Sequence, residues 1–484
     1  MSRIRIRCGQ LIAFDGERHR LVNDVDVAIR GDRIESIGPA SGTFDQEIDA
    51  RRRIVSPGFV NLHLHSGSTV ATRLVTERRY PSLFNAGYLG FSPRKGAAGI
   101  GALERAEIGG LATGVELVKA GCTTIVDLGQ GCDPDAMVDV FGGLGLRAYL
   151  SPGFRSGYHV FENGRLVIDW QQDEGLGGLQ AAVDFIRRHA GRYDGRIQGM
   201  LFAYQGDTCT DRLLDAARSA AEELGVGMQM HAAQSLYELH EMMRRTGKTT
   251  IQHFAEIGFL GSHFTIAHCP FITGHPSTGL PGDDDLQLLA ANGVSVCHNP
   301  TTIFRRGHLL RSFDRYRAAG VNIALGTDHY PRDMIHEMRL ASLMSKVVED
   351  DPGSADSLAV FNAATIGGAT ALKRPDLGRL FPGAKADLIV IDLNRIGSAP
   401  LRDPVQDMVL TGLPSDIKLV MIDGLVVAEN GEIAGVDEAR LVADLQSNAD
   451  AILATVPDWH WTGGTVDDVS PRFLEPLDDY RYSP

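Results

Sequence analysis

The stretch "GFVNLHLHSG" (residues 58–67) is an apolar run that ends at a Ser-Gly pair and carries His63 and His65 one residue apart. Side chains at positions i and i+2 of a β-strand point to the same face, so the two imidazoles would face one point together. Two nitrogen donors aimed at one point indicate a metal site when the chain supplies more ligands elsewhere. Taken alone, the pair is explained equally well as hydrogen-bonded core histidines, so the rest of the chain decides.

From about residue 56 to residue 370, the sequence alternates short apolar runs with amphipathic segments. The apolar runs are aliphatic or β-branched, as in "TTIVDLG", "FTIAHCPF" and "VNIALGTDH", and segments such as "DRLLDAARSAAEELG" have a helical period. Repeated β-then-α units of this number predict an α/β fold, a parallel (β/α)8 or TIM barrel. In such a barrel the active site lies at the carboxyl ends of the strands.

Both ends of the chain have strand character instead. Residues 1–55 alternate polar and apolar positions between Gly and Asp turns, and residues 371–430 contain "GAKADLIVIDL" and "DIKLVMIDGLVVAENGEI". A short β flank cannot close a core alone, so we expect the two flanks to form one composite β-sandwich. Residues 431–484 are expected to form a helix followed by a tail.

The composition is that of a globular protein with small-molecule partners. The 484 residues carry a formal net charge of −14, with a pI near 5.6, which argues against a nucleic-acid or anionic-membrane surface. The sequence has no apolar run of about 18 residues, so no membrane span is predicted. The six cysteines stand singly, so we expect reduced thiols in a cytoplasmic protein. A homodimer or higher homo-oligomer is expected from the general frequency of symmetric assemblies.

Polar side chains that can bind metal end several of the apolar runs. Strand carboxyl ends meet at one mouth of a barrel, so residues far apart in sequence converge there. Three imidazoles and one carboxylate form a suitable ligand set for a catalytic divalent metal that keeps a position open for water. The residues at these ends are His63, His65, His231, His268, His298 and Asp328.

The chain resembles the amidohydrolase superfamily, in particular its mononuclear cytosine deaminase and s-triazine hydrolase (TRZ/ATZ) branch. The resemblance spans nearly the whole length and rests on "IVSPGFVNLHLH", "GCTTIVDLG", "MHAAQ", "IAHCPF", "CHNP", "LGTDH", "FPGAKADLIVID" and "IDGLVV", which occur in the family's order. It implies one bound divalent metal, by default Zn²⁺, with Fe²⁺, Co²⁺ or Mn²⁺ compatible with the same ligands. The implied ligands are His63, His65, His231 and Asp328.

The resemblance also implies the roles of two catalytic residues, His268 and Asp328. A metal such as zinc lowers the pKa of bound water toward ~7, and the resulting hydroxide attacks an electron-poor carbon. Asp328 is expected to accept the proton and to pass it to the leaving group. His268 is expected to donate a hydrogen bond to the oxygen that develops negative charge.

Three departures from the family pattern indicate a rebuilt substrate pocket. Ring deaminases of this branch carry a glutamate three residues after the third metal histidine, where it protonates a ring nitrogen, and here that position is Gln234. Their histidine at the fourth strand end is replaced in "FAYQGDTCT", and "TTIFRRGHLL" replaces the usual residues after "CHNP". We therefore expect the substrate to be contacted by Tyr204, Gln205, Gln234, His298, Phe304 and His329.

These departures order three functional hypotheses. Attack on an amide, urea or carbamate carbonyl needs no ring-nitrogen acid, so hydrolysis of a carbonyl C–N bond in a small molecule, xenobiotics included, is preferred. The first alternative is an aminohydrolase (deaminase) or dehalogenase of an N-heterocycle such as a pyrimidine or s-triazine. The second alternative is a non-catalytic paralogue that binds a small molecule.

Two features near the predicted mouth have open interpretations. The segment 73–96 has the aromatic, Gly and Pro spacing of a lid, and a subunit contact explains it equally well. Arg305 and Arg306 would be available to an anionic substrate, although a surface pair is the more common arrangement.

Overall fold

The protein is described from a computed structural model, which covers residues 2–67, 69–74, 79–99, 105–128 and 133–474. Residues 475–484 of the expected tail lie outside this range. The strands are β1 Arg3–Phe14, β2 His19–Arg30, β3 Arg33–Ile37, β4 Gln46–Pro57, β5 Phe59–Leu64, β6 Cys122–Asp127, β7 Arg147–Leu150, β8 Gly153–Phe154, β9 Gly157–Glu162, β10 Arg165–Trp170, β11 Ile197–Gly199, β12 Leu201–Gln205, β13 Met228–Ala232, β14 Phe264–His268, β15 Ser295–His298, β16 Asn322–Leu325, β17 Leu388–Ile391, β18 Ile417–Ile422 and β19 Leu425–Glu429.

The predicted barrel is confirmed. In the described part of the chain, eight parallel strands (β5, β6, β7 and β12 to β16) form it, with β8 and β11 as short extensions. One seam is closed by backbone hydrogen bonds from Asp328 to His63 and from His65 to Asp328, both 2.9 Å long. At the other seam β7 runs into β8, which pairs with β12. β5 is buried at every position, which explains why its sequence is a continuous apolar run rather than an alternating one.

Helices follow the barrel strands. Their ends carry the expected signals: Thr210 caps α6 by accepting from the amide of Leu213, and Gly225 ends it with a φ of 66°. The helices are α1 Thr69–Leu74, α2 Ala106–Lys119, α3 Pro134–Gly143, α4 Leu176–His189, α5 Arg192–Gly195, α6 Asp211–Leu224, α7 Leu236–Thr246, α8 Thr250–Glu256, α9 Asp284–Ala291, α10 Pro300–Arg305, α11 Phe313–Ala318, α12 Met334–Glu349, α13 Ser357–Asn362, α14 Gly368–Ala371, α15 Pro404–Thr411, α16 Glu438–Leu453, α17 Val456–Trp459 and α18 Val466–Val469. No helix in the described ranges is both long and apolar enough to cross a membrane.

The two β flanks combine in one sheet, as predicted. Among the described residues it has seven strands in the order β19-β18-β17-β4-β1-β2-β3, and residues 54–57 of β4 pair antiparallel with residues 388–391 of β17. A buried ion cluster attaches the sheet to the barrel. Arg147 of β7 is 1% exposed and contacts Asp387 at 3.1 Å and Asp423 at 2.5 Å.

A hairpin interrupts the barrel after its third strand. Strands β9 and β10 pair antiparallel around Asn163 and Gly164, which both have positive φ angles of 51° and 73°. Asn-Gly is the preferred pair for a two-residue hairpin turn of this kind. The hairpin was not among the predicted elements, and it forms one wall of the cavity described next.

Candidate active site

Four side chains meet at the carboxyl end of the barrel. His63 lies in β5 and His65 follows it, His231 lies in β13, and Asp328 follows β16. The Nε2 atoms of His65 and His231 are 3.0 Å apart, and Oδ1 of Asp328 is 3.3 Å from Nε2 of His63. All four residues are at most 4% exposed. The structure thus brings together the four residues expected to bind metal.

This set of donors fits one divalent metal ion. Nε2 of His63 and both carboxylate oxygens of Asp328 are buried and have no hydrogen-bond partner among the residues that the structure describes. A buried carboxylate without partners carries a large desolvation cost, which a cation among these atoms would offset. Three imidazoles and one carboxylate suit zinc and related ions, and they leave a coordination position open.

Gln229 orients His63. Its amide nitrogen donates to the carbonyl oxygen of Leu62 over 2.8 Å, so its Oε1 faces Nδ1 of His63, also at 2.8 Å. Because an amide oxygen only accepts, Nδ1 of His63 carries the hydrogen and Nε2 presents its lone pair to the site. A hydrogen bond on the far ring nitrogen is the usual outer support of a metal-binding histidine.

His231 is held in the same way by a backbone carbonyl. Its Nδ1 donates to the carbonyl oxygen of Tyr204 over 2.5 Å. Burial, and then the neighbouring His63, lower the pKa of His231 to about 3, and burial lowers the pKa of His65 well below its ordinary value of 6.5. Both imidazoles are therefore neutral near pH 7, which is the form that binds metal.

His268 carries its ring hydrogen on Nε2, whereas His63 and His231 carry theirs on Nδ1. The amide nitrogen of Asn299 donates to the carbonyl oxygen of Cys297 and to Nδ1 of His268, each over 3.2 Å. Because the carbonyl oxygen of Cys297 only accepts, the atom of Asn299 that contacts it must be the NH₂ nitrogen. The same NH₂ group contacts His268, so Nδ1 of His268 is the acceptor. Nε2 of His268 then carries a hydrogen 3.7 Å from Oδ2 of Asp328. His268 therefore presents a hydrogen-bond donor, rather than a lone pair, to the residues expected to bind metal.

Two residues of the site, Asp328 and His268, have a left-handed backbone conformation, which sets the direction of their side chains. Asp328 has a φ of 57° and His268 a φ of 77°. Non-glycine residues seldom adopt such angles, and where they do the strain is commonly stored at a functional site. The hydrogen bonds that tie Asp328 to the end of β5 oppose relaxation of this conformation.

A cavity of about 640 Å³ opens beside the four residues. Four of the six residues expected to contact substrate line it, namely Tyr204, Gln205, Gln234 and His329. His298 and Phe304 are not among the described residues that line this cavity, and their contact with substrate stays a prediction. His298 is 2% exposed, and its ring packs on that of Phe304 with centroids 5.8 Å apart.

The described part of segment 73–96 lines this cavity, and its role as a lid stays a prediction. Its lining residues are Leu74, Tyr88, Leu89, Phe91, Ser92, Pro93 and Gly96. Residues 75–78 of the segment lie outside the described chain. A role of this segment in subunit contact stays a prediction.

One wall of the cavity, formed by the hairpin β9–β10 and the residues before it, was not predicted from the sequence. Arg155 and His159 line the cavity there, and Nε2 of His159 is 2.9 Å from Oδ2 of the fully buried Asp207. The Asn-Gly pair at 163–164 was the available signal for the hairpin. Arg306 also lines the cavity, whereas Arg305 is exposed and contacts the ring of Tyr330.

Carboxylates are scarce in this cavity. Among its described lining residues they are Asp328 and Asp169, and Asp169 is paired with Lys95 at 3.3 Å. Glu238 lies behind the wall, where its carboxylate accepts from the backbone amide of Gln234 over 2.9 Å. Gln234 therefore presents a neutral amide where the related deaminases are expected to present an acid.

The sequence profile of the amidohydrolase family matches residues 54–427. This chain belongs to the amidohydrolase family. As the sequence predicts, it is a metal-dependent hydrolase with the family's histidine and aspartate cluster, and family members act on carbon–nitrogen bonds. The resemblance from which the ligand set was inferred is confirmed.

Relatives of this amidohydrolase match over nearly the full length. A 5'-deoxyadenosine deaminase from Methanosarcina barkeri is 28% identical over 461 residues, which cover 94% of this chain and 100% of that protein. A 5-methylthioadenosine/S-adenosylhomocysteine deaminase from Thermococcus sibiricus is 29% identical over 432 residues, which cover 88% and 93%.

Solved structures share the fold of this amidohydrolase. A zinc-bound adenosine deaminase from Xanthomonas campestris superposes with a TM-score of 0.78 at 21% identity, covering 93% of this chain and 98% of the other. Atrazine chlorohydrolase from Arthrobacter aurescens, complexed with zinc, has a TM-score of 0.77 at 21% identity, with 92% and 100% covered.

Proposed function

We propose that this amidohydrolase removes an exocyclic amino group from an aromatic N-heterocycle by hydrolysis. The observation that carries the proposal is the cavity beside the ligand cluster. Its volume of about 640 Å³ and its aromatic walls, which include Tyr88, Tyr158, Tyr204 and Trp459, suit a planar ring with a substituent. The full-length deaminase relatives support the same substrate class, so carbonyl hydrolysis, preferred from the sequence, becomes the second candidate.

The residues of the site divide the work of this reaction. His63, His65, His231 and Asp328 would hold a divalent ion, which would supply the Lewis acidity that lowers the pKa of water. Oδ2 of Asp328 accepts a proton from the attacking water and passes it to the leaving amine. Nε2–H of His268 donates to the incoming oxygen as it bonds to the ring carbon.

Hydrolysis of an amide, urea or carbamate is the second candidate because of Gln234. A neutral amide hydrogen-bonds a ring nitrogen but transfers no proton to it, whereas attack on a carbonyl needs no such acid. Asp328 and His268 serve a carbonyl substrate with the same roles, so the two candidates differ at Gln234 alone.

Product analysis on the zinc-loaded enzyme tests the proposal. The panel contains ring amines (adenosine, 5'-deoxyadenosine, cytosine and 2,4-diamino-s-triazine) and carbonyl substrates (phenylurea, a phenylcarbamate and acetanilide). Ammonia release from a ring amine is the expected result. If a carbonyl substrate is cleaved with a kcat/KM above that of every ring amine, the enzyme is an amide, urea or carbamate hydrolase instead.

Gln234→Glu gives an independent answer. In a ring deaminase the new carboxyl restores a proton donor, so kcat/KM on ring amines rises at least tenfold, since general acid catalysis contributes about 10² to 10⁴. On a carbonyl substrate the new charge gives no gain and weakens binding of a neutral ligand. Gln205→Glu is the matched control, because it adds the same charge at another point of the cavity wall; an equal gain there would remove Gln234 from the argument.

A further inference from the structure

Two guanidinium groups line the substrate cavity, and neither has a counter-ion among the described residues. Arg306 follows α10, and its guanidinium carbon lies 4.5 Å from the centre of the Tyr88 ring. Its Nη1 is buried and has no hydrogen-bond partner. Arginine stays protonated inside proteins, so this nitrogen presents an unused donor of a full positive charge to the cavity.

Arg155 supplies the second charge, and the ring of Tyr204 lies close to it. Its guanidinium carbon is 3.7 Å from the centre of the Tyr204 ring and 4.3 Å from that of Tyr158. Such stacking holds the flat guanidinium in place while its edge stays available for hydrogen bonds. In the described residues neither Arg155 nor Arg306 forms an ion pair, although most arginines of this chain do.

The charge balance of the cavity is therefore positive. Of its two described carboxylates, Asp169 is paired with Lys95, and Asp328 belongs to the ligand cluster. Asp328 also lies close enough to attract Arg306, but a divalent cation at the cluster would more than neutralise that one charge. Both arginines are half-buried, and a partly desolvated charge without a partner among the described residues is costly, so the counter-ion of these arginines is to be sought in the ligand.

We propose that the substrate carries a carboxylate, bound by Arg306 and Arg155 in the cavity beside the metal ligands. This inference rests on the proposed function for the identity of the reacting group, but not for the binding of the anion. Planar guanidinium edges match the two oxygens of a carboxylate, and their orientation by Tyr88 and Tyr204 keeps that edge in the cavity. The substrate class is then an amino-substituted heterocyclic acid, rather than a neutral heterocycle.

Binding of small probes to the zinc-loaded protein tests the anion site without turnover. Benzoate, phenyl phosphate and benzamide are titrated by calorimetry against the native protein and the variants Arg306→Gln, Arg155→Gln and Arg305→Gln. We expect Arg306→Gln to weaken benzoate binding at least tenfold and to leave benzamide binding within twofold. Arg305→Gln, one residue away and exposed, is the matched control and should change neither.

Three results would overturn the proposal. Unchanged benzoate affinity in Arg306→Gln would mean that the metal alone holds the anion. Tighter binding of phenyl phosphate than of benzoate would indicate a phosphate site instead. An equal loss of affinity for benzoate and benzamide would show that Arg306 only forms part of the cavity wall.

The variant Arg306→Lys serves if Arg306→Gln does not fold. Lysine keeps the charge but not the planar edge, so a loss of benzoate affinity smaller than twofold in this variant would also contradict the proposed site.

Turnover then separates this inference from the proposed function. Cytosine-5-carboxylate and cytosine differ only in the anionic group, and we expect the native enzyme to prefer the acid by at least tenfold in kcat/KM. Arg306→Gln should lose that preference through KM. A fall in kcat by the same factor on both compounds would instead assign Arg306 to the reacting oxygen. If neither ring amine is hydrolysed while benzoate still requires Arg306, the proposed function fails and the anion site stands.

Discussion

The side-chain amide of Asn299 donates to Nδ1 of His268, and this bond leaves the hydrogen of His268 on Nε2, the atom that faces Asp328. The same ring with its hydrogen on Nδ1 would offer a lone pair to the site. Asn299 is 0% exposed and also donates to the carbonyl oxygen of Cys297, so its orientation is determined from two sides. A residue that touches no substrate thus decides whether His268 acts as a donor or as a ligand.

Replacing Asn299 with aspartate should reverse this tautomer. A carboxylate accepts from Nδ1, so Nε2 of His268 loses its hydrogen and its ability to stabilise charge on the incoming oxygen. We expect kcat to fall by about 10² to 10³, as for the loss of an oxyanion donor. Bound metal, measured by elemental analysis, should stay at one equivalent, because the four residues expected to bind it are unchanged. A metal loss that parallels the activity loss would contradict this assignment.

Gln229→Leu should weaken metal binding. The leucine removes the acceptor that keeps the hydrogen of His63 on Nδ1, and loss of such an outer partner typically lowers metal affinity 10- to 100-fold. Competition for zinc with a chromogenic chelator measures the effect. Gln198→Leu is the control, since Gln198 donates to the carbonyl oxygen of Gly195, away from the site. Equal affinities for Gln229→Leu and the control would show that His63 needs no such support.

Arg147→Met should destabilise the whole protein. The methionine leaves Asp387 buried without its cation, and breaking a buried pair of this kind costs about 3–5 kcal/mol in the free energy of unfolding. The exposed pair between Arg187 and Glu223 offers a control, because Arg187→Met should cost less than about 1 kcal/mol. Urea unfolding followed by circular dichroism measures both. A loss under about 1 kcal/mol for Arg147→Met would mean that the sheet is held to the barrel by apolar packing instead.

His19 makes the stability depend on acid. Burial, and then Arg379, lower its pKa from 6.5 to about 4 in the folded protein, where its ring packs on Phe361. As the pH falls below 6.5, the unfolded chain binds a proton that the folded chain does not bind until about pH 4. Stability is therefore lost between these values, by about 2 kcal/mol from pH 7 to pH 5.

The variant His19→Phe isolates this contribution. Phenylalanine keeps an aromatic ring beside Phe14 and Phe361 and does not titrate. The free energy of unfolding of the variant should therefore fall less than that of the native protein between pH 7 and pH 5. Urea unfolding at both pH values gives the difference between the two slopes. Identical pH dependence in native and variant proteins would place the acid sensitivity elsewhere.

The metal site was predictable because it depends on topology more than on packing. Once alternating β and α segments predict a parallel barrel, the residues that end its strands must meet, whatever the loops do. His63, His65, His231 and Asp328 stand at such ends, and the structure places them within contact of one another. The composite sheet was predictable for a similar reason, since neither β flank has enough strands to cover its own apolar face.

The substrate cavity was less predictable because its lining depends on the direction in which each side chain points from its helix or loop. Arg305 and Arg306 are adjacent, and a rotation of about 100° per residue sends one to solvent and the other into the cavity. Sequence alone does not set that rotation. The hairpin β9–β10 carried a local signal at Asn163-Gly164, but its docking over the mouth is a tertiary contact that no local pattern contains. The packing of His298 on Phe304 is of the same kind.

The pairing of β4 with β17 has a consequence for synthesis of the protein. β4 leaves the ribosome before any barrel strand, and its partner β17 follows only after the last of them. Throughout translation of the barrel, the edge of β4 presents backbone groups that have no partner, and such edges pair with other chains. A chain truncated after β16 would lack β17, so the edge of β4 would stay unpaired. We expect such a chain to aggregate rather than to form a shortened enzyme.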